Sequence, residues 1–291
     1  MADRSAGGRT VAPLVYMPET IQQLLQIYKK NPTAEIHAGG TFSVLKMSPR
    51  DTAPGNSIIY IGNIEEMKRI SRTDRYVEIG AGCTINQILE IGSGILPRAL
   101  ISALQQIGSY TIRNLATIGG SLAIRERRLD AFAVLSLFDV RVEGRKAGSS
   151  RWIQPVRLFN ESNRITLGEG ELLTRLRIPI ETWQVQVYKK IRNRTMDPKE
   201  NFIFCGLAKL QKGQVQDFRF CFGGIQRGIL REKSIEAEIT GKKLPLQEKT
   251  LDIILSALEK KLDSYEEEVR IYKRKRAPII LKWFIDLLTE D

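Results

Sequence analysis

The sequence has 291 residues, of which 42% are hydrophobic and 27% charged. This composition is ordinary for a folded protein and excludes a chain that is disordered throughout. The length exceeds that of most single cores, so we expect two or three folded units. The net charge of +12 suits a nucleic-acid binder. The basic residues are dispersed and no nucleic-acid-binding motif accompanies them, so we expect no nucleic-acid partner; an acidic partner protein explains the charge equally well.

No apolar run approaches the ~18 residues that cross a bilayer, and the N-terminal segment MADRSAGGRT lacks the apolar core of a secretory signal. We therefore expect a cytoplasmic location without membrane insertion. The three cysteines, Cys83, Cys205 and Cys221, are widely spaced and indicate neither a disulfide framework nor a metal site. An iron–sulfur cluster typically needs four thiolates, so any cluster must belong to a partner.

The first 180 residues mix helices and strands without the strict alternation of a doubly wound parallel sheet. Pro18 in a first turn and the Asn31-Pro32 stop delimit the first helix. Thr84 and Gln87 form a capping-box pattern at the start of another. The expected helices are 18–30, 84–91, 100–107 and 130–138, and the expected strands are 34–38, 57–61, 76–80, 140–143 and 172–178.

From residue 184 the pattern changes, which indicates a separate α+β domain over residues 181–291. Two of its strands are joined by the polar turn at residues 211–214. We expect helices to cover one face of a three-stranded antiparallel sheet. The expected strands are 185–191, 202–210 and 215–222, and the expected helices are 231–238, 246–262 and 278–288.

Two similar glycine-rich segments, HAGGTFS at 37–43 and TIGGSLA at 117–123, follow strand-like approaches. Glycines let backbone N–H groups come close to a phosphate, and Thr41 or Ser121 can donate a further hydrogen bond. One such segment alone is usually only a turn. Two such segments, each after a strand-like approach, predict a pyrophosphate that is held from both sides. A third pair, Gly223-Gly224, lacks the hydroxyl residue and is interpreted as a structural turn.

Two other patterns are interpreted as structural. The segment IGAGCT at 79–84 lacks the third glycine and the later acidic residue of a Rossmann loop, so a capped turn is preferred. The only histidine, His37, has no serine and aspartate arranged around it in the pattern that a catalytic triad requires. A hydrolase is therefore not expected.

Five phrases in this order carry a family resemblance: HAGGTFSVLKM, YIGNIEEMKRI, VEIGAGCTINQIL, SYTIRNLATIGGSLA and GEGELLTRLRIP. The chain resembles the FAD-binding subunit of molybdenum hydroxylases, the family of xanthine dehydrogenase and carbon monoxide dehydrogenase. The resemblance spans nearly the whole chain. It implies a two-subdomain FAD-binding domain of the vanillyl-alcohol-oxidase (PCMH) type, with subdomains 1–56 and 57–180. A C-terminal α+β domain like that of the CO dehydrogenase flavoprotein is implied after it.

The resemblance also implies which residues bind FAD. The first glycine segment and the second would hold the pyrophosphate, and Ile107 would approach the cofactor from the preceding helix. Asp130 matches the acidic residue of the second motif, and a leucine and a lysine would lie near the flavin. One residue of alignment ambiguity leaves two lysines open. The implied cofactor-binding residues are Ile36, His37, Ala38, Gly39, Gly40, Thr41, Phe42, Ser43, Ile107, Ala116, Thr117, Gly120, Ser121, Ala123, Asp130, Leu173, and Lys189 or Lys190.

The chain departs from the family pattern in two places. Relatives usually have a Ser-Pro-x-x-Asp run after the second Gly-Gly, whereas this chain has IRERRLD at 124–130. These arginines either pair with the cofactor's phosphates or lie in solvent near a partner; the second is favoured because charge runs are usually exposed. Phe42 replaces a polar residue common in the first segment. Both departures bear on whether FAD binding survives.

The implied function is electron transfer, because the cofactor does the redox chemistry and the protein supplies binding and orientation. Electrons would pass from a molybdopterin-containing large subunit through an iron–sulfur subunit to FAD, and then to NAD or another acceptor. This chain alone would not hydroxylate a substrate. The alternative is a flavin-less subunit that serves only assembly of such a complex.

Overall fold

A computed structural model describes residues 14–46, 57–124, 130–160, 164–192, 201–225, 228–265 and 271–289. Within these ranges the strands form three β-sheets, and each sheet carries helices on at least one face. No helix in the described part of the chain is long and apolar enough to cross a membrane. Residues 125–129, which include the arginines of the IRERRLD departure, lie outside the described residues.

The first sheet is parallel and contains β1 (Val15–Tyr16), β3 (Ile58–Tyr60) and β2 (Glu35–His37), in that order. Helix α1 (Ile21–Lys30) connects β1 to β2, and Thr20 caps it by accepting a hydrogen bond from the N–H of Gln23. The apolar face of α1 packs on the sheet. A short helix, α2 (Thr41–Lys46), follows β2.

The central strand β3 lies beyond the expected subdomain boundary at 56/57, yet it pairs with both β1 and β2. The first sheet therefore extends at least to Tyr60. The reason is that a parallel strand order depends on long-range pairing, which local sequence patterns do not reveal.

The second sheet is antiparallel, with the order β4 (Ile70–Arg72), β5 (Tyr76–Gly80), β8 (Leu172–Pro179), β6 (Arg141–Lys146) and β7 (Ser149–Ile153). Alternate residues of β8 are buried, as the alternating pattern predicts. The buried face packs against a group of helices, and together they form the largest core. These helices are α3 (Ile85–Ile91), α4 (Arg98–Gln105), α6 (Ile118–Ala123) and α7 (Asp130–Leu137). The short helix α5 (Tyr110–Arg113) contacts α3 but contributes no buried residue.

The third sheet is antiparallel, with the order β12 (Ile229–Leu230), β11 (Gln214–Gly223), β10 (Phe202–Gln211) and β9 (Val185–Ile191). The three expected strands form, and the two-residue β12 adds a fourth at the edge. One face of β10, including Cys205, packs against α7 in the largest core. The opposite face, including Phe204, packs against the C-terminal helices. Burial on both faces explains why β10 is apolar without alternation.

Three helices close the C-terminal region: α8 (Lys233–Ile239), α9 (Glu248–Asp263) and α10 (Ile271–Leu287). Helix α10 begins seven residues before Pro278, so the expectation that Pro278 opens the helix is wrong. The helical turn before Pro278 is held by its own buried residue Ala277 and by the side chain of Lys273, which donates to the carbonyl of Gly224.

Candidate functional site

A cleft of about 400 Å³ lies between the end of the first sheet and helix α6. Both glycine segments of the sequence reach it. The described residues that line it are uncharged, so they would hold a ligand through backbone and side-chain dipoles. The lining residues are Ile36, Ala38, Gly39, Gly40, Thr41, Phe42, Ser43, Ala116, Thr117, Gly120, Ser121, Ala123, Ile124, Phe159 and Ile165.

The first wall of the cleft is the turn at Gly39 and Gly40, between β2 and α2. Gly40 has a φ of +67°, a left-handed conformation that side chains other than glycine rarely adopt. A Cβ on Gly39 would lie 1.7 Å from the carbonyl oxygen of Leu115, so only glycine allows this turn to touch the second segment. Among the described residues, none accepts a hydrogen bond from the N–H of Gly39, Gly40 or Thr41. These N–H groups can therefore serve a bound anion.

The second wall is the N-terminal turn of α6, which sequence analysis treated as a loop. Thr117 caps this helix by accepting from the N–H of Gly120 at 3.1 Å. The N–H of Ile118 donates to Cys83, and the N–H of Gly119 donates to Ala81. The amides of this segment are thus already used, in contrast to the matched pair of loops that the sequence suggested. Its contribution to the cleft is the hydroxyl group of Ser121 and the bare surface of Gly120.

Glycine is required at position 119 for packing rather than for a ligand. A Cβ there would lie 2.7 Å from the Cβ of Ala81 and 2.8 Å from its carbonyl oxygen. At Gly120, by contrast, the one nearby atom is the Thr117 hydroxyl oxygen at 3.0 Å, and the residue is exposed to the cleft. The two adjacent glycines therefore have different roles: Gly119 joins α6 to the turn after β5, and Gly120 keeps the cleft open.

An apolar rim completes the cleft with three residues that sequence analysis missed, Ile124, Phe159 and Ile165. Phe159 and Ile165 pair as an isolated β-bridge, and Phe159 stacks edge-on against Phe132 at 5.8 Å. Phe42, which departs from the family pattern, also lines the cleft. The sequence signal for these residues was that they are large and apolar within otherwise polar loops. Their spacing in the sequence does not indicate that they come together.

Several expected cofactor residues do not line the cleft. His37 pairs with Glu35 at 3.2 Å within β2. Ile107 and Leu173 are partly buried and pack against the largest core. Asp130 begins α7, and its carboxylate accepts from Lys190 at 3.0 Å.

A separate polar cluster surrounds Asp130. The hydroxyl group of Tyr188, in β9, donates to one carboxylate oxygen and Lys190 donates to the other. Burial raises the pKa of Tyr188, and the charge of Asp130 raises it further, so the phenol stays protonated and remains a donor. Lys189 points to the opposite face of the strand, where it stands 4.0 Å over the ring of Trp283. Of the two lysines left open by the alignment, only Lys190 lies beside Asp130.

The cysteines are buried free thiols. Burial raises the pKa of Cys83 to about 11 and the pKa of Cys221 to about 12, so both stay protonated at neutral pH. Cys205 and Cys221 face each other across β10 and β11. Among the described residues, no three histidine, cysteine or acidic side chains come together as a group that could hold a metal ion.

A glycine-lined cleft bordered by backbone N–H groups that have no acceptor among the described residues is typical of proteins that bind a phosphate-containing cofactor. A family model described as the FAD binding domain in molybdopterin dehydrogenase matches residues 9–181. A second, the CO dehydrogenase flavoprotein C-terminal domain, matches residues 186–284. The chain belongs to this family: it is an FAD-binding oxidoreductase subunit of the molybdenum hydroxylase type. The resemblance, the fold class and the cofactor expected from the sequence are confirmed.

Named relatives agree with this assignment. The chain is 28% identical to a nicotinate dehydrogenase FAD-subunit from Eubacterium barkeri, over 94% of this chain and 96% of that protein. It is 25% identical to a glyceraldehyde dehydrogenase medium chain from Sulfolobus acidocaldarius, over 78% and 80% of the two chains. The fold matches a chain of quinoline 2-oxidoreductase from Pseudomonas putida 86 with a TM-score of 0.80 and 19% identity, over 96% and 98% of the two chains.

Proposed function

We propose that the cleft holds the diphosphate of FAD, and that the chain passes electrons between partner subunits and a final acceptor. The observation that carries this proposal is that the N–H groups of Gly39, Gly40 and Thr41, which border the glycine-lined cleft, have no acceptor within the described part of the chain. Backbone N–H groups bind phosphate oxygens without a charged side chain, as in other anion-binding turns. The proposed cofactor residues are those expected from the sequence, with Ile124, Phe159 and Ile165 added.

The walls of the cleft would contact different parts of the cofactor. The amides of the Gly39–Gly40 turn would donate to the diphosphate, and the hydroxyl groups of Thr41 and Ser121 would add donors on either side. The apolar rim, with Phe42 and Phe159, would exclude water from the cofactor. Bound FAD supplies the redox chemistry, since flavins accept electrons singly or in pairs.

The cluster at Asp130 would lie at the flavin end of the cofactor, because the resemblance implies a lysine near the flavin and Lys190 belongs to this cluster. Because Lys190 neutralises Asp130 and Tyr188 also donates to it, this carboxylate is held in one orientation. Lys190, rather than Lys189, is then the lysine proposed to lie near the flavin. Ile107 and Leu173 would contribute apolar contacts from the adjoining core.

We further propose that an iron–sulfur subunit delivers electrons to this chain, and that a molybdopterin-containing large subunit is their source. Names such as medium chain and FAD-subunit among the relatives support a place in a multi-subunit enzyme. NAD or another oxidant would be the acceptor. A domain boundary near residue 181 is proposed from the change in sequence pattern.

The second candidate is a flavin-less assembly subunit. The observation that favours it is that the first amides of α6 donate within the protein, so that, of the two glycine segments as described, the one at Gly39 and Gly40 keeps free N–H groups. Phe42 in that segment also replaces a polar residue.

A titration of the purified chain with FAD separates the two candidates. We expect flavin absorption bands that persist through gel filtration, and weaker retention in Gly120→Val, whose side chain would project into the cleft. Bound FAD should then be reduced anaerobically with dithionite and mixed with NAD or ferricyanide, which identifies the acceptor class. No retained flavin, even at high added FAD, would support the assembly subunit and contradict the electron-transfer proposal.

A further inference from the structure

Arg113, at the end of α5, makes an unusual set of hydrogen bonds beside the cleft without lining it. One guanidinium nitrogen donates to the carbonyl oxygens of Gln105, Ile107 and Gly108 at 3.2, 3.3 and 3.0 Å. The Nε atom donates to the side-chain oxygen of Asn86 at 3.2 Å. A single side chain thus binds the end of α4, the turn after it and helix α3.

These bonds satisfy groups that would otherwise lack partners. The last carbonyl groups of a helix have no N–H donor within the helix, and a cation is favourable there because of the helix dipole. Gly108, in the turn after α4, has a φ of +52°, which glycine adopts without strain. Asn86 is buried and completes the network by donating to the carbonyl of Tyr110 at 3.2 Å and to Asn114 at 2.6 Å.

The segment held in this way forms part of the cleft. The carbonyl of Leu115 is the surface on which Gly39 rests. Ala116 lines the cleft, and its N–H donates to Ile112 at 2.8 Å within the same segment. A displaced segment would therefore move the surface against which the Gly39–Gly40 turn is set.

The same network reaches the cluster at Asp130. Gln106, between two carbonyls bound by Arg113, accepts from Lys190 through its backbone at 3.4 Å and from Arg192 through its side chain at 3.0 Å. Lys190 in turn pairs with Asp130. Arg113 is thus linked to both regions proposed to contact FAD, because it binds the residues on either side of Gln106 and belongs to the segment that ends at Ala116.

We infer that Arg113 is a positioning residue for FAD: it fixes residues 105–116 so that the cleft and the Asp130 cluster face the cofactor together. This inference rests on the proposed function. A lysine would keep the charge but could not donate to several carbonyls and to Asn86 at once, because it lacks the planar fork of arginine.

The test compares Arg113→Lys with Arg219→Lys in the full chain. Arg219 is a matched control because it also donates to a carbonyl at a helix end, Leu137, and to carboxylates, but outside the cleft. Both variants should lower the melting temperature of the FAD-free protein. Only Arg113→Lys should weaken FAD binding, by about tenfold or more, and alter the visible circular dichroism of the bound flavin.

A second variant, Arg113→Gln, keeps a planar donor and serves if the lysine variant does not fold; it should lower FAD affinity in the same direction. Unchanged affinity and unchanged flavin dichroism in a folded Arg113 variant would overturn the inference. Equal losses of affinity in Arg113→Lys and Arg219→Lys would also overturn it, because the effect would then be general destabilisation. Failure of the parent chain to bind FAD is a different result and would contradict the proposed function itself.

Discussion

Gly40 and Gly148 are two glycines in the same backbone conformation, one inside the cleft and one outside it. Gly40 has a φ of +67° and Gly148, in the β6–β7 turn, has a φ of +84°. A Cβ on either would meet no atom within 4 Å. We predict that Gly40→Leu and Gly148→Leu both lower stability, and that only Gly40→Leu lowers affinity for FAD.

The expected magnitudes follow from backbone strain and hydrogen bonding. A side chain in the left-handed region costs about 1–2 kcal/mol, so each variant should melt about 2–8 °C below the parent. In the cleft, the leucine side chain would occupy space proposed for the diphosphate. A hydrogen bond to a charged group is worth about 1.5–3 kcal/mol, so loss of one amide contact should reduce affinity between about 10-fold and 150-fold.

Fluorescence titration with FAD, and thermal melting without it, measure the two effects separately. Gly148→Leu measures the loss of stability that backbone strain alone causes. If Gly40→Leu bound FAD as tightly as Gly148→Leu did, the turn would not contact the diphosphate and the cleft assignment would be refuted.

Three further variants test interactions that hold the fold together. Burial alone raises the pKa of Glu143, but hydrogen bonds from Arg175 and Thr174 outweigh it and hold that pKa below the usual value. The stability that this carboxylate confers is present above pH ~4.3 and is lost as the pH falls through its folded-state pKa. The melting temperature of Glu143→Gln should therefore fall less than that of the parent as the pH is lowered. An identical dependence of melting temperature on pH in the two proteins would contradict this. Tyr188→Phe should lower the unfolding free energy by about 1–2 kcal/mol in urea titrations, and no change would mean that its bond to Asp130 adds nothing. Phe204→Ala should lower it by about 3–5 kcal/mol, and a loss near zero would show that this face is not a packed core.

Elements with strong local signals were predictable from the sequence. The capping box of Thr84 and Gln87 is present, and the turn before it is the capped turn that was preferred over a Rossmann loop. The expected strands 76–80 and 185–191 match β5 and β9 to the residue. These segments could be identified because capping and alternation act between near neighbours in the chain.

Features that depend on distant contacts could not be identified in this way. Helix α6 contains Gly119 and Gly120, which disfavour a helix by propensity, but its first turn is held by the segment at 81–84. Ile165 enters the cleft only through its pairing with Phe159. The use of the α6 amides within the protein was likewise invisible, because it depends on pairing between segments more than thirty residues apart.

The most direct measurement of the central claim is an amide NMR spectrum of the isotope-labelled chain, with FAD and riboflavin added separately. Riboflavin has the ring but no diphosphate. We expect FAD to shift the amide signals of Gly39, Gly40 and Thr41 strongly, while riboflavin leaves them nearly unchanged and neither ligand affects Gly148. FAD binding without a shift at Gly39, Gly40 and Thr41 would contradict the claim that this turn grips the diphosphate.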